Sequence, residues 1–190
     1  MTEIRHKALT ARDLKVVGPG RVQAAFSVFG NLDLDGDVVV PGAIEDGTEI
    51  MVSAWMHGSW TPGVLPLGRG RIRTTASEAI VDATFFDTAA ARDTLVVLRG
   101  LGDRCQWSFG FTILDSDFTT IDGGRVRLLH RLDVFEASPV LQGSNPLTHT
   151  VAVSGDESAD EQLAREYARF AAGEFDRQMA AEMADIRAGL

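Results

Sequence analysis

From residue 104 to 113 the chain alternates without an exception. Cys105, Trp107, Phe109, Phe111 and Ile113 are apolar, while Gln106, Ser108, Gly110 and Thr112 are polar or small. A period of two predicts a strand over 104–114, with the odd positions in a core and Ser108 facing the other way. Residues 22–29 predict another strand, closed by Gly30 and Asn31. The β-branched run 38–40 stops at Pro41-Gly42, a turn signal. A nearly continuous apolar run over 50–57 predicts a strand ending at His57. Segments 69–75 and 78–86 predict a hairpin around Ala76-Ser77, 125–136 a strand after a turn at 122–124, and 149–153 a last short strand. One helix interrupts them at 88–99. Asp87 or Thr88 caps its start, Ala91, Leu95 and Leu98 share a face, and Gly100 supplies the stop.

After residue 153 the pattern changes period. Ser158-Ala-Asp-Glu161 matches a capping box. Leu163, Tyr167, Ala171, Phe175, Met179, Met183, Ile186 and Leu190 then follow at spacings of three or four, an amphipathic stripe. The chain therefore divides into a domain over 1–153 and a helical tail over 154–190. The fold class expected is mainly β with flanking helices, α+β. The tail's stripe needs a cover: its own domain, a second copy of the chain, or a partner.

Composition narrows the function classes. A chain of 190 residues with 45% hydrophobic residues buries a core without disulfides. The net charge is −9, and only Lys7 and Lys15 are lysines, which argues against nucleic acid as a partner. The tail from Asp156 holds nine acids against four arginines. Cys105 is the single cysteine, so neither an internal disulfide nor an all-cysteine zinc site forms. No run approaches a membrane span, and the first residues lack a secretion signal's apolar stretch, so the expected compartment is a reducing cytoplasm.

Several residues invite chemistry. Asn31-Leu-Asp33-Leu-Asp35-Gly36 resembles the opening of a calcium loop, but its twelfth position is Gly42 where a bidentate Glu is needed. An acidic turn between strands fits better. His6, His57, His130 and His149 show no metal-ligand spacing. Cys105 lies on the apolar face of its strand, opposite Ser108, and reads as a buried small hydrophobe. Ser108 is held between Trp107 and Phe109 on the polar face. A nucleophilic serine needs a base and a group that orients the base. His57 and Glu136 end two other apolar runs. On pattern alone these are three polar residues at strand positions, equally compatible with plain hydrogen bonding.

Five segments, in order, resemble the prohead (capsid maturation) serine proteases of tailed bacteriophages, distant relatives of the herpesvirus assemblins. They are AAFSVFGNLDLDGDVVVPGAI at 24–44, SAWMHGSW at 53–60, VLPLGRGRI at 64–72, DTLVVLRGLGDRCQWSFGF at 93–111 with its Ser-x-Gly-Phe, and LDVFEASPV at 132–140 with its Glu-x-Ser. After Glu136 the family's Pro-Ala-Asn ending is replaced by LQGSNP, 141–146. The resemblance implies an antiparallel β-barrel of assemblin-like type. It implies a serine endopeptidase with His57 as base, Ser108 as nucleophile and Glu136 as third member, Asp133 and His130 remaining alternatives to Glu136. It also implies a host-cytoplasmic location inside the assembling prohead. The implied substrates are scaffold or the scaffolding arm of the major capsid protein, and often the protease itself. Such chemistry needs no cofactor. Two rival readings are a non-catalytic assembly module of the same fold and a small-ester hydrolase. The lack of a Gly-x-Ser-x-Gly elbow counts against the second.

Overall fold

The computed structural model describes residues 15–17 and 20–154. Among the described residues nine strands form one sheet: β1 (Lys15–Val17), β2 (Arg21–Val28), β3 (Asp37–Val39), β4 (Glu49–Val52), β5 (Gly68–Thr74), β6 (Glu78–Phe85), β7 (Gln106–Ile121), β8 (Gly124–Val140) and β9 (His149–Ser154). Helix α1 (Ala89–Leu101) lies between β6 and β7. Backbone pairing runs β1-β9-β2-β6-β5-β4-β8-β3, with β7 on the other edge of β8. No helix among the described residues is long and apolar enough to cross a membrane.

The expectation of an antiparallel, closed barrel is corrected on two counts. The sheet is mixed, because β3 and β4 both run parallel to β8. Between them Ile44 bridges to Leu132 in the same sense, so residues 37–52 form one interrupted parallel partner along β8. Pro41, which lacks an N–H, and Gly42, at φ 91°, break that partner. The sheet is also open. β7 would have to pair with β9 to close it, but the Trp107 amide donates to Thr148 Oγ1 (3.0 Å), and that hydroxyl donates to the Trp107 carbonyl (2.9 Å). Side chains bridge the gap instead. Trp107 Nε1 donates to Thr150 Oγ1 at 3.0 Å, and Phe26 meets Phe109 edge to face at 5.3 Å.

The core gathers Val22, Phe26, Val52, Ile72, Val81, Leu98, Trp107 and Leu129, all buried. Helix α1 contributes Ala91, Leu95 and Leu98, the face expected of it, and Thr88 Oγ1 accepts the Ala91 amide as its cap. The helix runs through Gly100; its end is Gly102, whose φ of 61° suits glycine. Strands β7 and β8 extend well past the expected 114 and 136, joined by a two-residue Asp122-Gly123 turn with both φ positive. Alternation therefore predicts the core at Cys105 and Trp107, both 1% exposed, but fails at Ile113, which is 37% exposed. The helical tail expected over 154–190 lies, apart from Ser154, outside the described residues.

Candidate active site

His57 does not end a strand. Strand β4 stops at Val52, and His57 sits in the short 3-10 segment Trp55–Trp60 that follows. Met56 and His57 both adopt left-handed backbone, at φ 56° and 58°. For non-glycine residues this costs on the order of 1–3 kcal/mol each, so surrounding contacts must hold it. A reciprocal pair of serines does part of this. Ser59 donates its amide to Ser53 Oγ (3.1 Å), and Ser59 Oγ accepts the Ala54 amide (2.9 Å). The Ser53 amide donates to the Ala137 carbonyl (2.9 Å), tying the turn to β8. The third anchor is Ser138, fully buried on β8, whose Oγ accepts the His57 amide at 3.3 Å.

Strands β7 and β8 deliver the other groups. Ser108 is in register with Ser138, and Gly110 with Glu136. At the next step the register shifts, Phe111 pairing with Val134, so Phe135 is the extra residue of a β-bulge. The bulge changes parity along β8. Leu132 and Val134 face the core before it; after it Ala137 does, leaving Glu136 and Ser138 on the side of Ser108. Gly110 makes room for this. A Cβ there would stand 2.6 Å from Glu136 Oε1 and 2.4 Å from Phe135 Cε2.

The three expected residues converge. His57 Nδ1 lies 2.6 Å from Glu136 Oε1, and Nε2 lies 3.0 Å from Ser108 Oγ. An ionised carboxylate only accepts hydrogen bonds, so the ring hydrogen sits on Nδ1. The Nε2 lone pair is thereby left for the Ser108 hydroxyl to donate into. Ser138 Oγ lies 3.2 Å from Nδ1 as well, so it touches both the ring and the backbone of His57. The Glu136 side chain is 4% exposed and that of His57 35%. Hydrogen bonding to Glu136 holds the imidazole above its ordinary 6.5, against burial, which pulls the other way.

The remaining candidates lie elsewhere. His130 Nε2 pairs with Asp117 Oδ1 at 3.2 Å, and Asp133 is exposed opposite Thr112. His149 Nδ1 meets the Leu147 carbonyl at 3.0 Å. Burial pushes the Cys105 thiol up to about 11, which keeps it from ionising as a nucleophile near neutrality. In the acidic loop Asp33 Oδ1 accepts the amides of Asp35 and Asp37, an Asx-type turn, and Asp37 forks onto Arg127 at 2.8 and 2.6 Å. Ser138 was not among the expected residues, although the Glu-x-Ser spacing puts it on the face of Glu136. Ser53 and Ser59 carried no signal in the sequence.

Among comparisons with known proteins, the family model described as Caudovirus prohead serine protease matches residues 18–162. No curated protein and no solved structure matches the chain.

Proposed function

Because the chain belongs to the Caudovirus prohead serine protease family, we propose that it is an active serine endopeptidase, with Ser108 as nucleophile, His57 as general base and Glu136 as the group that orients the base. Ser108 Oγ attacks the carbonyl carbon of a peptide bond as its proton passes to His57 Nε2. The imidazolium then donates that proton to the departing amine nitrogen, leaving an acyl-enzyme on Oγ. Water, deprotonated by the same Nε2, attacks the ester and restores Ser108. Glu136 keeps hydrogen on Nδ1 throughout and stabilises the cation that forms twice per cycle.

The observation that carries this reading is the pair of contacts on opposite edges of one ring, 2.6 Å to Glu136 and 3.0 Å to Ser108. The substrates in this reading are scaffold or the scaffolding arm of the major capsid protein, and the protease's own chain, inside the prohead in the host cytoplasm. In this reading the residues after Ser154, the end of β9, act as an appendage that carries the enzyme into the particle. Co-expression with the coat protein of the same genome, followed by mass determination of every fragment, tests it. Discrete cleavage products that vanish with Ser108→Ala are expected. An uncut coat protein and scaffold, with the protease itself uncut, would return the chain to the non-catalytic module.

A further inference from the structure

Three segments build the site, and they are almost free of charge. Between Glu49 and Arg69 there is no Asp, Glu, Lys or Arg. None occurs from Cys105 to Leu114, and between Asp133 and Asp156 the single one is Glu136. That carboxylate is buried and engaged with His57. In a chain with 24% charged residues, a substrate side chain lying along these segments finds no ionic partner on them.

The same segments expose large apolar groups beside the base. Met56, the residue before His57, is 59% exposed, and Trp60, at the end of the same turn, is 67% exposed. Trp60 meets Phe135 edge to face, with centroids 5.5 Å apart. Phe135, the bulge residue next to Glu136, is 39% exposed and lies over Gly110, two residues from Ser108. An exposed tryptophan braced by a second ring offers a large, rigid apolar surface at little entropic cost. Its continuity with His57 and Ser108 identifies the occupant as the chain being cut.

We propose that Met56, Trp60 and Phe135 form a specificity subsite that takes one large uncharged apolar side chain of the substrate peptide, close to the scissile bond. This rests on Ser108 and His57 being the catalytic pair. The apolar side chain leaves water for Trp60 and Phe135, whereas a charged one loses hydration with no counter-charge in return. Discrimination by an apolar pocket reaches about 10- to 200-fold for a methylene-sized difference, and a charge is penalised at least as strongly.

The test uses the full chain and a peptide panel varied one position at a time around a mapped cleavage site. Each position carries in turn Leu, Phe or Met, or Asp, Lys or Arg. At one position adjoining the bond, kcat/KM for the apolar set should exceed that for the charged set by about 10-fold or more. Trp60→Ala should reduce that ratio several-fold while leaving fluorophosphonate labelling of Ser108 unchanged, since the small probe does not reach the subsite. Met56→Asn is the second variant, because Asn tolerates the left-handed backbone while removing the apolar surface. A preference for charged side chains, or a ratio that both variants leave intact, would overturn the inference while Ser108 still labels. Loss of labelling in the unaltered protein would instead strike the catalytic reading on which it rests.

Discussion

At the scale of single residues, the base carries the most specific consequences. In the proposed mechanism His57 acts only when Nε2 is unprotonated, and Glu136 raises the pH at which that occurs. Activity should therefore rise with pH through an apparent pKa above 6.5. Glu136→Gln should move that midpoint down and cut kcat by about 10⁴-fold, by the precedent of other serine proteases. A midpoint unmoved by the substitution would separate Glu136 from the base. The sign for stability is opposite to that for activity. A raised folded-state value stabilises the fold below the unfolded imidazole pKa, and that advantage fades as pH rises through the folded value. Ser138→Ala leaves the His57 amide without its acceptor in a left-handed turn. It should lower kcat more than it raises KM, read from steady-state kinetics at several pH values. Gly110→Ala should be as damaging as losing the carboxylate, because the added methyl meets Glu136 Oε1 at 2.6 Å. A fully active Gly110→Ala enzyme would show that Glu136 need not lie where it does.

At the scale of elements, strand β7 was legible because a pleated strand with one face on the core writes its period directly into side-chain type. The hairpin β5–β6, the Asp122-Gly123 turn and the face of α1 were legible for equally local reasons. The turn that holds His57 was not. Its residues are apolar like a strand's, yet Met56 and Trp60 are 59% and 67% exposed, so their hydrophobicity answers to a surface and not to the core. Nor does any residue type announce the bulge at Phe135, which depends on register with β7 and turns Glu136 toward Ser108. Ser108, His57 and Glu136 were identified through family motifs; spacing alone had left them as three polar residues at strand positions. The open seam between β7 and β9 gives an element-scale prediction. Thr148→Val removes the hydroxyl that serves both the amide and the carbonyl of Trp107. Leaving those buried groups unpaired should cost about 1–3 kcal/mol, seen as a lower urea midpoint at unchanged slope.

At the scale of the whole molecule, the proposed function requires a protease that travels into the particle with its substrates. In the proposed division of labour the sheet does the chemistry and the acidic tail handles recruitment. The last strand constrains where they part. Ser154 closes β9, is buried, and its carbonyl accepts from Arg99 Nη1 at 2.9 Å. A chain ending after Gly155 should therefore stay soluble, keep the unfolding transition of the sheet and label at Ser108, yet fail to enter particles. Insolubility of that shortened chain would mean that the stripe from Leu163 to Leu190 covers part of the core. The division between sheet and tail is secondary, however, to whether Ser108 is the nucleophile that His57 and Glu136 activate. Fluorophosphonate labelling with the modified residue mapped by mass spectrometry tests this most directly. The account predicts one adduct, on Ser108, formed faster as pH rises through the His57 transition and absent in His57→Ala. An adduct on another residue, or undiminished labelling of Ser108 without His57, would contradict it.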